Sequence, residues 1–397
     1  MTQGQSMESG SPGKLRMLFV ITTCDFGGSE SFLHRLVSGM DRDAFEIEVC
    51  SLCPPGRVAQ QIEELGIKVS TLNMDARAKP VEMLGGTGRL ARLFSRSFDG
   101  RGAHGVQCLL YRANVLGALS RPLCRLFLRR PPFLVTGQRS LIPTGRSLDF
   151  RAQQATRNWA DRVVAVSRAV KDELHETEII ADEKVVVIQN GIDLSRFSPP
   201  EDGEREKARA EWNIGPNTLV IGAVGRFHGP KGLKFLVEAF QSGLRRFPDR
   251  VLVLAGDGPD AEDLKAQVER LGLTEKVRFL GFQKDPRPLF PGFDIYVLPS
   301  LKEGSPNALL EAMGRRCACV ASAVGGVPEA LEHEKSGLLV PPGDPGALGD
   351  GLALLADDAE LRSRYAAAAR TRVEEYFDLK KMIRSHEALY RSLRPDA

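Results

Sequence analysis

The stretch Asp294-Ile-Tyr-Val-Leu-Pro299, running on through Ser300 and Lys302 into Glu303-Gly-Ser-Pro-Asn-Ala-Leu-Leu-Glu311, joins an apolar run to a helical pattern through a short polar turn. A short apolar run closed by proline reads as a buried strand. Pro306 suits a first helical turn, because its missing N–H would have no intrahelical partner there. The spacing therefore predicts a helix over Pro306–Met313, with the amides from Ser305 to Ala308 pointing out of its N-terminus as an anion site. Glu303 and Glu311 are eight positions apart, a little over two turns, which puts both carboxylates toward one side of that helix. Ala308, Leu309 and Ala312 are left to pack on a sheet. Two glutamates alone are ordinary solvated acids. Set around an amide cradle, they suit a ligand carrying both phosphate and several hydroxyls, such as a nucleotide sugar.

The same strand–turn–helix alternation fills the chain and indicates an α/β fold of parallel sheets with helices on both faces. Strands are predicted at Met17–Thr22, Glu46–Leu52, Lys68–Leu72, Val106–Leu110, Phe133–Thr136, Arg162–Val166 and Lys184–Ile188. Helices are predicted to begin near Ser29, Val58, Ala113, Phe150 and Ala169. Ser195 to Glu211 is polar, carries prolines and reads as a linker. The pattern then restarts: strands Thr218–Val224, Arg250–Ala255, Val277–Leu280, Asp294–Leu298 and Cys319–Ala321, with helices Gly232–Phe247, Ala261–Leu271 and Pro306–Met313. Two Rossmann-like units of similar size are expected to face each other, with ligands at the carboxyl ends of the strands. The division expected is 1–14 as a disordered tail, 15–195, linker 196–211, 212–375, and a final helix at 376–397. That helix shows one apolar stripe (Leu379, Met382, Ile383, His386, Leu389, Tyr390, Leu393) suited to packing back on the first unit.

With 397 residues, 42% hydrophobic and 26% charged, the composition is that of an ordinary globular chain with room for two domains. No apolar run is long enough to span a bilayer, and residues 1–14 lack the apolar core of a signal peptide. A cytoplasmic protein is expected. Seven cysteines make no disulfide framework, and six histidines form no metal-ligand cluster. No metal and no nucleic acid partner is expected. The net charge of +3 hides an uneven distribution: Arg89 to Arg146 holds eleven arginines and one acid, Asp99, interleaved with leucines and phenylalanines. That pattern suits docking on an anionic membrane surface or gripping an acidic substrate. An arginine-rich genome decorating ordinary helices would explain it equally well.

Four turns complete the candidate site. Gly225-Arg-Phe-His-Gly-Pro-Lys-Gly232 follows a predicted strand. Its glycines admit a ligand close to the backbone, Arg226 offers a planar fork for phosphate oxygens, and Lys231 a compact charge. It lacks the Gly-Lys-Ser/Thr ending of a Walker loop. Gly256-Asp-Gly-Pro259 and Gly325-Gly326-Val-Pro-Glu329 are further strand-end turns, the latter with Glu329 placed to cap a helix. In the first unit, Gly27-Gly28-Ser-Glu30 opens a helix, and its amides either face an incoming sugar or serve only as a helix start.

Together the segments GGSE, AVSRAV, VIQNGIDLSRF, GRFHGPKG, LAGDGP, EGSPNALLEAM, GGVPE and HEKSGLLVPPGDPGAL resemble the family 4 retaining glycosyltransferases of the GT-B fold, from about residue 15 to 380. The resemblance implies two Rossmann-like domains across a cleft, acceptor domain first and donor domain second, with the C-terminal helix crossing back. It implies a metal-independent hexosyltransferase that uses a UDP- or GDP-linked sugar and no cofactor. Arg226 and Lys231 would neutralise the donor diphosphate and Glu303 would contact the transferred sugar. Gly27, Gly28, Gly225 and the Ser305, Pro306, Asn307, Ala308 turn would line the donor, Glu311 would hold the ribose and Phe282 would edge the base. Acceptors in keeping are a glycan or a lipid-linked sugar in cell-surface glycan synthesis, with the protein peripheral at the inner membrane face. One departure stands out. Where many members carry a histidine after the strand at Phe133–Thr136, this chain reads Thr136-Gly-Gln138-Arg139, so Gln138 or Arg139 is the candidate contact on the acceptor side. Two rivals remain within this frame: a non-catalytic nucleotide-sugar-binding module, and a nucleotide-sugar epimerase of the same fold.

Overall fold

The structure, a computed structural model, describes residues 13–25, 27–75, 80–141, 148–177, 180–243 and 249–394. The expected tail at 1–14 lies outside these except for Gly13 and Lys14. Thirteen strands are present: β1 Leu15–Ile21, β2 Phe45–Ser51, β3 Lys68–Thr71, β4 Gly105–Leu109, β5 Phe133–Gln138, β6 Arg162–Ala165, β7 Val185–Val187, β8 Leu219–Val224, β9 Arg250–Ala255, β10 Val277–Gly281, β11 Ile295–Leu298, β12 Ala318–Ser322 and β13 Leu338–Val340. The helices are α1 Gly28–Gly39, α2 Arg57–Glu63, α3 Pro80–Arg96, α4 Tyr111–Leu123, α5 Leu148–Arg157, α6 Arg168–Thr177, α7 Glu204–Glu211, α8 Leu233–Gly243, α9 Ala261–Arg270, α10 Asn307–Gly314, α11 Val327–Ala330, α12 Pro345–Asp357, α13 Ala359–Tyr376 and α14 Leu379–Ser392.

The strands form two sheets, ordered β3-β2-β1-β4-β5-β6-β7 and β10-β9-β8-β11-β12-β13. Every described pairing between these strands is parallel. Each order begins 3-2-1-4, the doubly wound arrangement whose reversal beside its first strand leaves a crevice at the carboxyl ends. The central strands are buried on both faces, which is why they read as continuous apolar runs, while the edge strands β3 and β10 are partly exposed. By contacts the chain divides into two compact units, residues 1–137, 145–163 and 383–397, and residues 138–144 and 164–382. In the first unit, the last helix from Ile383 onward packs through its apolar stripe. Buried Tyr390 donates to Gln107 Oε1, and the His386 ring lies 5.5 Å from that of Phe32. In the second, Phe290, Phe293, Tyr296 and Trp212 anchor a core beneath β11 and α10. Among the described residues no helix is long and apolar enough to cross a membrane.

Strand β13 and helices α12 and α13 are not among the predicted elements, and three further differences have a local cause. Helix α3 is unforeseen because Gly85, Gly86 and Gly88 lower its intrinsic propensity. Packing overrides this, since a Cβ at Gly86 would meet Met74 at 2.8 Å. The predicted linker ends in helix α7, whose Glu-Arg-Glu-Lys-Ala-Arg-Ala-Glu run is strongly helix-forming. It is tied down by Arg209 to Asp294 at 2.6 Å and by Glu204 to Arg315 at 2.6 Å. Finally, α10 starts one residue late, at Asn307. Pro306 stands at the cap with φ −87° and ψ 71°, outside the helical region.

Candidate functional site

In the second sheet the strand order reverses between β8 and β11, and the two loops leaving these strands meet. Leu301 N donates to Pro230 O at 2.8 Å, which ties the β11 loop to the β8 loop. Gly232 ends the β8 loop with φ +63°, where a Cβ would run into the carbonyl oxygen of Pro299. This close approach sets Lys231 against Glu303, with Nζ to Oε1 at 2.5 Å. The same carboxylate oxygen accepts from Ser300 Oγ at 2.8 Å. Ser300 is fully buried and Glu303 nearly so, whereas the Lys231 side chain keeps 28% of its exposure. A buried carboxylate is stable only when paired and hydrogen-bonded. Lys231 and Ser300 supply both conditions.

The rest of the β8 loop is held by backbone bonds. Phe227 is buried, its N–H donates to Asp257 O at 2.9 Å, and its carbonyl accepts from Asp260 N at 3.1 Å. The Gly225 amide donates to Ala255 O at 3.0 Å. Between these anchors Arg226 points outward, exposed, with no ion pair among the described residues. Gly256 N donates to Gly281 O at 2.8 Å, drawing the next two strand ends together. Phe282 follows directly and is 57% exposed.

At the head of α10, Asn307 N donates to Ser305 O at 3.1 Å and the first helical bond is Leu310 N to Pro306 O at 3.0 Å. The Ala308 and Leu309 amides precede that bond and lie in the positive first turn of the helix. Ser305, Asn307 and Ala308 are half-buried, as is Glu311 on the following turn. Beneath them the phenol of Tyr296 is fully buried and pushed well above its ordinary pKa. Burial is the main cause, followed by the negative fields of Cys319, Glu311 and Glu303.

Gln138 and Arg139 fall in this same unit. Gln138 is buried, and its Nε2 donates to Ser140 O at 2.7 Å. Arg139 donates to Asn190 Oδ1 at 2.8 Å, and Asn190 Nδ2 donates to Asn307 Oδ1 at 2.8 Å. A two-asparagine relay therefore connects Arg139 to the helix head. A Cβ on Gly304 would lie 2.6 Å from the Arg139 carbonyl oxygen, so the Arg139 segment rests on the Glu303 loop. On the far side of that loop, Gly326 N donates to Glu303 O at 3.2 Å and Gly325 takes φ +48°. Glu329 is structural. It accepts from Ala169 N at 3.0 Å and Gln189 Nε2 at 2.8 Å, capping α6 rather than its own helix.

In the first unit, Gly27 and Gly28 open α1 beside the end of β1, and the nearly buried Glu30 accepts from Thr23 Oγ1 at 2.6 Å. Sequence reasoning missed Ser300 and Asn190. Ser300 lies three residues before Glu303, at the strand end where a short hydroxyl reaches back. Asn190 sits inside the VIQNG segment, whose neighbours gave no chemical signal of their own.

The model of the glycosyl transferases group 1 family matches residues 204–372, and that of glycosyltransferase family 4 matches residues 26–196. The D-inositol 3-phosphate glycosyltransferase of Corynebacterium glutamicum is 33% identical over 224 residues, 53% of this chain and 52% of its own length. The N-acetyl-alpha-D-glucosaminyl L-malate synthase of Bacillus anthracis is 29% identical over 231 residues, 58% and 59% of the two chains. The chain thus spans between half and three fifths of the length of these curated relatives. An uncharacterized glycosyltransferase of Methanocaldococcus jannaschii is 30% identical over 278 residues, covering 68% of this chain and 71% of that one. Among solved structures, Anabaena HepE in complex with UDP-glucose superimposes with a TM-score of 0.82 at 22% identity, covering 95% of this chain and all of that one. With both halves matched and the M. jannaschii protein paired over more than two thirds of its length, the chain belongs to the group 1, family 4 glycosyltransferases and has their GT-B fold of two Rossmann-like domains.

Proposed function

We propose that the chain is a metal-independent, retaining hexosyltransferase that moves a sugar from a UDP- or GDP-linked donor to a hydroxyl of a polysaccharide, glycolipid or lipid-linked acceptor. The observation that carries the reading is the Lys231–Glu303 pair seated at the head of an amide-bearing helix. As the bond from the anomeric carbon to the diphosphate breaks, negative charge grows on the leaving oxygen. Lys231, Arg226 and the first-turn amides of α10 stabilise that charge more in the transition state than in the ground state. Glu303, held by Ser300, accepts hydrogen bonds from hydroxyls of the departing sugar, and Glu311 from those of the ribose. Front-face attack by the acceptor hydroxyl, its proton passing to the leaving phosphate oxygen, gives retention without a protein nucleophile. A thermal-shift screen of UDP-, GDP- and ADP-sugars in EDTA tests the reading, since a ligand bound to the native state raises its stability with concentration over affinity. A raised melting temperature with one nucleotide series supports it. No shift with any of them, at millimolar ligand, refutes it.

For the acceptor, work in cell-surface glycan synthesis suits a protein at the inner face of the cytoplasmic membrane. A second reading is favoured by two observations. The relatives named for their acceptors, inositol phosphate and malate, use small anions, and Arg139 is held beside the helix head by Asn190. Under that reading the acceptor is a small anionic alcohol bound by Arg139. Competition between a phosphorylated polyol and a lipid-linked sugar for the same donor separates the two.

A further inference from the structure

We propose that the tip of the first unit, from the end of α4 through Arg130, is a docking face for an anionic phospholipid bilayer. The inference rests on the lipid-linked-acceptor reading for its purpose, while its evidence is the surface itself. Leu123, Leu126 and Phe127 are 39%, 76% and 49% exposed, a concentration of large apolar side chains that water does not favour. They are not on a loose loop. Cys124 is buried, its carbonyl accepts from Phe127 N at 2.9 Å and Leu128 N at 2.7 Å, and its thiol reaches Ser120 O, so a locked turn holds the apolar side chains outward.

The cations around them are sorted by role. Arg121 is used internally, with Asp161 at 2.8 Å and the carbonyls of Pro132 and Trp159. Arg125 and Arg129 are exposed, as are Arg92 and Arg96 on the last turns of α3, which pack on this segment. None of these four makes an ion pair among the described residues. The stretch from Arg121 to Arg139 contains no acid at all. The first unit also holds a basic cavity of about 320 Å³. Lys14, Arg16, Arg101 and Arg394 line it against a single acid, Glu46. Burial first, then repulsion from Arg101, pulls the Arg16 guanidinium below its ordinary value, while Glu46, paired with Arg101 at 2.5 Å, opposes the shift.

Apolar prongs set among unpaired arginines match the boundary between headgroups and acyl chains, where guanidinium groups meet phosphates and the prongs leave water. A nucleic acid would satisfy the arginines but leave Leu126 and Phe127 in water. An acidic protein would have to offer apolar sockets as well as carboxylates.

Co-sedimentation with vesicles tests the proposal. Wild-type protein is expected to pellet with phosphatidylcholine vesicles containing roughly one third phosphatidylglycerol, and to stay in solution with phosphatidylcholine alone. The double variant Leu126→Ser/Phe127→Ser, and separately Arg125→Glu/Arg129→Glu, should each weaken binding by at least about tenfold while melting with the wild type. Both should hydrolyse a soluble donor at the wild-type rate, so a failure of docking is separable from a failure of the sugar-transfer reading. Wild-type protein that ignores anionic vesicles at low salt overturns the proposal, as does unchanged vesicle binding by both double variants. Binding of an acidic protein or nucleic acid with no vesicle binding overturns it in favour of those partners.

Discussion

Replacing Glu303 by Gln keeps the shape of the side chain and its bond from Ser300 but removes the charge that Lys231 faces at 2.5 Å. Two unit charges at that distance attract by about 7 kcal/mol at an effective dielectric of about 20. Lys231 is more than a quarter exposed, so screening and the desolvation of Glu303 leave a net of roughly 1–2 kcal/mol. A nucleoside diphosphate that recruits Lys231 has to compete with that attraction. Glu303→Gln is therefore expected to bind the diphosphate product roughly ten times more tightly, measured by titration calorimetry. Its melting temperature should fall by about 2–4 °C, because the ion pair is lost. Its turnover should fall by about a hundredfold or more, because the contact to the reacting sugar is weakened. Affinity moves opposite to stability and rate. Unchanged or weaker diphosphate binding by Glu303→Gln would refute the idea that Lys231 is shared between Glu303 and the leaving group.

Lys231→Ala should abolish turnover and weaken diphosphate binding, and should cost about 2–4 kcal/mol of stability, more than Glu303→Gln, because the buried Glu303 carboxylate loses its ion-pair partner; near-normal activity would break the site assignment. Asn190→Ala severs the link between Arg139 and Asn307 and should destabilise by about 1–2 kcal/mol. If the small-anion reading holds, it should also raise the acceptor KM more than it lowers kcat. Gly325→Ala places a Cβ at φ +48° and against the Glu303 carbonyl oxygen. A cost of about 2–4 kcal/mol is expected in chemical denaturation, and a neutral substitution would mean the loop is free to move. Burial pushes the thiols of Cys24, Cys50, Cys124 and Cys317 up to about 12 and raises those of Cys53, Cys108 and Cys319. The thiolate is the reactive form, so a thiol reagent at pH 8 should label almost nothing in the native protein and all seven cysteines once it is unfolded.

The α/β architecture was legible because buried parallel strands are apolar runs, and β8, β9, β11 and β12 lie within a residue or two of their expected bounds. Helix α3 was hidden by its glycines, since propensity is local while the Met74 contact that rescues Gly86 is not. The site was legible in part. The residue types and the Glu303 to Glu311 spacing carry the phosphate and hydroxyl chemistry by themselves. The partner of Lys231 did not, because the contact crosses 72 positions and depends on the Gly232 turn against Pro299. For the same reason Asn190 and Ser300, which hold rather than react, left no mark in composition or periodicity. Glu329 caps a helix, as its turn suggests, but the helix is α6 rather than its own, a pairing across 160 positions that local sequence does not reveal.

Release of nucleoside diphosphate from the donor that stabilises the protein, followed in EDTA and without acceptor, tests the central claim most directly. Slow release by the wild type, lost in both Glu303→Ala and Lys231→Ala while each still melts cooperatively, is the predicted result. Tight donor binding with no release by the wild type, or release that survives in either variant, would contradict it.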